Sequence, residues 1–255
     1  MKLFGILFSF IIMLQGCATT LALHPQPSND QKIIYLKGVS SLVSKKNNTV
    51  IVSTSESTHM SNIRPKFIIG VCNDTKEPFN FSIEDNITAT VNGEAWKVYT
   101  YEELVEEVRR AQSAALIGAA LFGMGRSMQA SQAGYQYQSG SFNTSYYNTS
   151  GYSGYGYGSY SGYTYNPAAA AQAQAEANAI TRDEINYITE STNQTLNYMG
   201  QNILQKNTVF PGMLYGGYVL ICFTKIPKDI NDIHICVTLL SEEHEFIYSE
   251  SKWKK

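Results

Sequence analysis

Apolar and polar positions alternate over short runs toward both ends of the chain, and apolar positions recur every three or four residues through its middle. The first pattern is that of strands and the second that of helices. Thr49-Val50-Ile51-Val52-Ser53-Thr54 and Lys66-Phe67-Ile68-Ile69-Gly70-Val71-Cys72 are β-branched, apolar and bounded by Asn, Ser, Asp and Pro, which predicts two strands. Asn92-Gly93 between Ile87–Val91 and Ala95–Tyr99 predicts a hairpin closed by a type I′ turn. Gly217–Phe223, Ile233–Leu240 and Glu245–Tyr248 predict three further strands, paired as a meander.

The helical part opens at Thr100-Tyr101-Glu102-Glu103, a capping box in which hydroxyl and carboxylate each satisfy a free N–H of the first turn. From there Leu104, Val105, Val108, Ala111, Ala115, Ala119, Phe122 and Gly123 keep one apolar face to about residue 128. Ala111, Ala115, Ala119, Gly123 and Ser127 form a ladder of small residues against which a second helix can pack closely. Asn166-Pro167 supplies an N-cap and an N1 proline for that partner, which runs to about Lys206; a break near Thr181, whose Thr-x-x-Glu can cap a fresh helix, is the alternative. Ile185, Ile188, Thr192, Leu196, Met199 and Ile203 give its second half a coiled-coil-like spacing, so the pair is expected as an antiparallel helical hairpin. Between the helices, residues 134–165 are almost entirely Gly, Tyr, Ser, Asn, Gln and Thr, with ten tyrosines. No charge occurs from Ser127 through Ala175. This low-complexity tip reads either as a flexible cap or as a sticky surface for glycan, protein or a second copy.

The amino terminus carries a different signal. Lys2 precedes an apolar run from Leu3 to Leu14 interrupted only by Gly5 and Ser9, as in a signal peptide. A dozen residues make a helix of roughly 18 Å, short of the roughly 30 Å hydrocarbon core. Leu14-Gln15-Gly16-Cys17 resembles the lipobox of bacterial lipoproteins. That resemblance implies cleavage before Cys17, lipid on the Cys17 thiol, and a cell-envelope location. Ala18, in place of an aspartate, favours the outer membrane over the inner one by the same analogy. An ordinary leader cut near Ala18 or Ala22 is the alternative. Val71-Cys72-Asn73, Phe79-Asn80-Phe81, Pro211-Gly212 and Gly216-Gly217-Tyr218-Val219 through Pro227 resemble the strand ends and turns of immunoglobulin-like domains in exported bacterial lipoproteins. The fold expected is therefore α+β: an immunoglobulin-like antiparallel β-sandwich interrupted by a long α-helical hairpin with a low-complexity tip. Its divisions are a signal peptide at 1–16, a tether at 17–31, the sandwich at 32–100 and 207–255, and the insert at 101–206 with its tip at 134–165.

Composition narrows the chemistry. A net charge of −2 with scattered Lys and Arg offers no basic stripe for phosphates, so no nucleic acid is expected as partner. Cys72, Cys222 and Cys236 lie in strand-like runs and read as buried thiols, with a Cys222–Cys236 bridge as the lesser alternative. The chain has no HExxH, nucleophile elbow, phosphate loop or zinc-spaced cysteine set. His244 among Glu242, Glu243 and Glu245 invites a metal reading, but a solvated hairpin turn accounts for it better. Glu102, Glu103, Glu106 and Glu107 are the acidic first turns of a helix rather than catalytic carboxylates. No catalytic, cofactor or metal residue is assigned, and Cys17 is the single expected modification site. The functional expectation is a lipid-anchored, non-enzymatic binding or assembly module acting through residues 101–206. An envelope hydrolase with its site in the sandwich loops is the alternative.

Overall fold

The computed structural model describes residues 20–21, 23–36, 38–54, 59–60, 64–147, 149–150, 153–222 and 230–250. The expected signal peptide, lipobox and Cys17, together with Phe223 and Pro227, lie outside them. The chain divides into two compact units, Met1–Val105 with Tyr198–Lys255, and Glu106–Asn197. Both boundaries fall inside long helices.

The first unit is built on two antiparallel sheets, a sandwich arrangement. One sheet orders β10 (Glu94–Trp96), β9 (Ile87–Val91), β16 (Asp232–Leu239), β17 (Glu242–Glu250) and β2 (Leu23–Gln26). The other orders β11 (Val98–Tyr99), β15 (Leu214–Ile221), β7 (Lys66–Cys72), β5 (Thr49–Thr54), β4 (Val39–Lys45) and β3 (Gln31–Leu36). Two short pairs, β1 (Thr20–Leu21) with β6 (His59–Met60) and β8 (Phe79–Phe81) with β14 (Asn207–Val209), complete the strands. Alternation decides which side chains meet: Ile233, Ile235, Val237 and Leu239 of β16 are buried while Cys236 between them is not. The same parity turns Val50 and Val52, Phe67, Ile69 and Val71, and Phe246 and Tyr248 into one core. Across that core the Tyr248 ring stands 5.2 Å from Phe67, and its hydroxyl donates to the Val52 carbonyl at 2.8 Å.

Local signals set the edges of this unit. Asn92 and Gly93 both take positive φ, 52° and 81°, as a type I′ turn requires, and β9 and β10 pair across them. The expected strand Ala95–Tyr99 divides at Lys97, with Trp96 left in one sheet and Val98 passed to the other. The Lys97 carbonyl accepts from the Cys222 amide at the switch. Pro211 and Gly212, the latter at φ 74°, make the tight turn 210–213. The Gly212 amide donates to the Asn73 carbonyl at 2.7 Å, and the Asn73 side chain donates to the Val209 carbonyl at 2.8 Å. A four-residue helix, α1 (Ile83–Asn86), is capped by Ser82.

The structure departs from expectation at three places. The tether at 17–31 is already structured at Leu23, which is buried, and β2 pairs with β17. Pro25 is compatible with a strand because β2 is an edge, where a missing N–H breaks no ladder bond. The last three strands do not form a meander: β16 and β17 are a hairpin, but β15 pairs with β7 and β11 in the opposite sheet. The cysteines are free and half-buried, because Cys236 has the outward parity of its strand and the Cys72 thiol donates to Asp74.

The two long helices are α2 (Tyr101–Gln132) and α3 (Pro167–Asn202). The capping box is formed, with the Glu103 amide donating to Thr100 Oγ1 and the Thr100 amide to Glu103 Oε2, each at 3.2 Å. Asn166 Oδ1 accepts from the amides of Ala168 and Ala169. Such caps contribute about 1 kcal/mol each. Thr181 starts no new helix; its hydroxyl turns back to the Ala177 carbonyl and α3 continues unbroken to Asn202, four residues short of the expected Lys206. Beyond that end the Leu204 amide bonds Tyr218, and the Tyr215 hydroxyl accepts from the Gln205 amide and donates to its carbonyl. No helix among the described residues is long and apolar enough to cross a membrane.

Candidate functional site

In the second unit the small-residue ladder meets α3 over its last three positions, while Ala111 and Ala115 are exposed. Ala119 is buried, a Cβ on Gly123 would fall 2.6 Å from Thr181 Cγ2, and Ser127 exchanges hydrogen bonds with Gln174. Arg126 makes a two-pronged contact with Glu184, at 2.9 and 2.6 Å, which holds that carboxyl below its usual range and lifts the guanidinium. Phe122, expected on the packed face, is 72% exposed, since the ladder positions one residue away take the contact.

The low-complexity tip is a regular two-stranded ribbon. β12 (Tyr135–Tyr147) and β13 (Ser153–Tyr165) pair along their whole length, Tyr135 opposite Tyr165 through Tyr147 opposite Ser153. Opposed residues share a face, so the odd numbers form one surface and the even numbers the other. The odd surface carries Tyr135, Tyr137, Tyr147, Tyr155, Tyr157, Tyr163 and Tyr165 among serines and Asn143. Two tyrosine pairs, 135 with 165 and 137 with 163, meet at centroid distances of 5.0 and 5.4 Å. The even surface sets glycine opposite ring: Gly158 faces Phe142, Gly154 faces Tyr146, and Gly140 faces Tyr160, whose ring would lie 2.7 Å from any Cβ there. These rings shield backbone that glycine would leave bare. Nothing in the ribbon is charged, and Tyr155 at 91% exposure shows how completely its tyrosines stand in solvent. Phenol faces with hydroxyls and amides between them suit stacking and multiple weak hydrogen bonds.

In the first unit the titratable groups form two small networks. His244 is not in a solvated turn: the turn is shorter than expected, β17 begins at Glu242, and residue 244 takes the inward parity at 1% exposure. His244 Nδ1 lies 2.9 Å from Ser44 Oγ, and Nε2 lies 3.4 Å from Glu242 Oε2. The order serine, imidazole, carboxylate is that of a hydrolytic triad. A cleft of 370 Å³ lined by Gln31, Ser44, Lys46 and His244 opens beside it. Ser44 is nevertheless only 3% exposed, and in this arrangement its hydroxyl joins β4 to β17 across the sandwich. The Glu242 carboxyl is raised by burial, but the Asn47 and Asn48 donors and His244 outweigh this and hold it below its usual value. Burial, aided by Lys46 and opposed by Glu242, pushes His244 below the ordinary histidine value. On the outer face His234 contacts Glu245 at 2.8 Å and Asp232 at 3.3 Å, and hydrogen bonding to Glu245 first, then to Asp232, raises it despite desolvation. Burial raises the Cys236 thiol, which disfavours the nucleophilic thiolate. His24 lies on edge strand β2, and no three His, Cys, Asp or Glu among the described residues are grouped to hold a metal.

The two histidines give stability of opposite pH dependence. His244 binds a proton more readily unfolded, so its contribution is complete above about pH 6.5 and is lost as pH falls toward its folded value. His234 binds more tightly when folded, so its contribution is complete below about pH 6.5 and is lost as pH rises through its raised value. The His244→Gln variant is expected to show a smaller drop in Tm than the parent between about pH 6.5 and 5. Parallel Tm curves for the two proteins over that interval would contradict this reading of the buried imidazole.

Sequence reasoning found the tip as a candidate surface but not its two faces, and it placed His244 beside Glu242 but missed Ser44 and the burial of the imidazole. The period-two spacing of Tyr155, Tyr157, Tyr163 and Tyr165 was the available signal for the first. The alternation His244, Phe246, Tyr248 was the signal for the second. No protein-family model, curated protein or solved structure matches the chain.

Proposed function

We propose that the chain is a lipid-anchored cell-envelope protein, held through Cys17 and placed at the outer membrane, that binds or assembles without catalysis through residues 101–206. The observation that carries the binding reading is the ribbon, with seven tyrosines on one face and no charge. In this proposal the sandwich is immunoglobulin-like and the α2 and α3 segments are a helical hairpin inserted into it. The contacts of Asn73 with Val209 and Gly212, which join segments far apart in sequence, support the first point. The Gly123–Thr181 and Ser127–Gln174 contacts support the second.

Two measurements test the proposal. Intact mass of membrane-extracted protein is expected to match a chain starting at Cys17 plus acyl groups, and Cys17→Ser is expected to lose them; an unlipidated parent would end the anchoring part. Co-sedimentation of the Cys17→Ser chain, which carries no lipid anchor, with isolated cell-envelope material is expected to fall about tenfold or more when Tyr155, Tyr157 and Tyr163 are also changed to Ser, at unchanged Tm. Equal sedimentation would remove the ribbon from the function. The Ser44–His244–Glu242 order favours an envelope hydrolase as a second reading. Ester hydrolysis by the parent above the Ser44→Ala background would put that reading first.

A further inference from the structure

The helix α2 carries an apolar seam that nothing in the second unit covers. Ile117, Leu121, Met124 and Met128 are spaced by four, three and four residues, the period of one coiled-coil seam, and are between 58% and 70% exposed. They lie apart from the ladder that meets α3 through Ala119, Gly123 and Ser127. Four large apolar side chains in one row along a surface helix form the kind of contiguous patch that marks an interaction site.

The helix glycines give an independent indication. Glycine inside a helix costs about 1 kcal/mol relative to alanine. Gly123 is accounted for, because Thr181 occupies the space of its missing Cβ. Gly118 and Gly125 have no neighbour within 4 Å of where a Cβ would stand, and they are spaced by one heptad beside the seam. Two glycines that no contact explains, on the border of an apolar row, are what close approach of another helix requires.

We propose that this seam is closed by α2 of a second copy of the chain, a deepening of the assembly reading above, on which it rests. No charged residue occurs from Ala111 through Gly125, so an identical helix laid against it meets neither like charge nor a buried unpaired one. A twofold pair brings each seam onto the other, the isologous arrangement of most dimers. A bilayer is the other apolar partner available to such a row. The uncharged stretch, fifteen residues at 1.5 Å each, reaches roughly 22 Å against a core of roughly 30 Å. It ends at Arg126, whose charge is committed to Glu184.

The test is sedimentation velocity of the full-length chain in mild detergent, parent beside Leu121→Glu and Leu121→Lys. Leu121 is 59% exposed, so either substitution leaves the packing of its own chain intact, which helix content by circular dichroism checks. The parent is expected to be dimeric, and each variant alone is expected to be monomeric, with the dimer Kd raised about a hundredfold or more by like charges at the seam. An equimolar mixture of the Glu and Lys variants is expected to associate again, which loss of folding would not produce. A monomeric parent that still sediments with envelope material through its tyrosines overturns the seam and leaves the assembly reading standing. A monomeric parent with no such binding overturns both. A Leu121→Glu variant as dimeric as the parent, or an unlipidated Cys17→Ser chain that joins phosphatidylcholine vesicles instead of pairing, overturns the seam.

Discussion

Truncating Phe67 to alanine is expected to lower the stability of the sandwich by about 3–5 kcal/mol, the largest effect of any single change considered. Phe67 is fully buried in the middle of the core, and β7, which carries it, is hydrogen-bonded on both sides, to β5 and to β15. Its ring also supports Tyr248, whose hydroxyl reaches the Val52 carbonyl in the same sheet as Phe67. Removing the ring therefore costs its own burial and leaves a cavity beside the residue that links the two sheets. Urea denaturation followed by the fluorescence of Trp96, which packs against this core, reads the change. A loss below about 1 kcal/mol would mean that the two sheets do not share the core as described.

The Gly217→Ala variant is expected to cost about 2–3 kcal/mol for a single methyl group. A Cβ at Gly217 would lie 2.7 Å from the Leu204 amide nitrogen and 2.9 Å from the Asn202 carbonyl oxygen. Both are backbone atoms, with no flexible side-chain end to move aside. Relief requires the segment after α3 to lift away, which breaks the bond from the Leu204 amide to the Tyr218 carbonyl at 3.0 Å. Buried Leu204 would be drawn from the core with it. Hydrogen exchange at the Leu204 amide should accelerate in the variant, and Tm should fall by several degrees. Unchanged exchange at that amide would refute the close approach.

The sequence was informative where a local rule has a single outcome. Thr100 with Glu103 and Asn166 with Pro167 admit few readings other than helix starts, and both caps are formed. Asn92-Gly93 gave its turn because few other residue pairs take positive φ twice in succession. Pairing between distant strands was harder to read. β15, β16 and β17 all look alike as apolar runs, and the crossing of the chain between sheets after Ile221 depends on long-range registers that no local pattern encodes. Pro25 concealed β2 because proline forbids a central strand but not an edge. His244 was misplaced by its company of glutamates; two-residue parity with Phe246 and Tyr248 outranked polarity. The ribbon was obscured by its composition, since serine and glycine have low strand propensity and only the cross-strand rings compensate for it.

The long uncharged stretch from Ser127 through Ala175 has a kinetic consequence. Contacts made through the ribbon gain nothing from long-range electrostatic steering, so encounter there proceeds at the unsteered rates of roughly 10⁵–10⁶ M⁻¹s⁻¹. Salt has little to screen on such a surface. Binding by the ribbon should thus keep one strength across the swings of ionic strength that would weaken a charged interface.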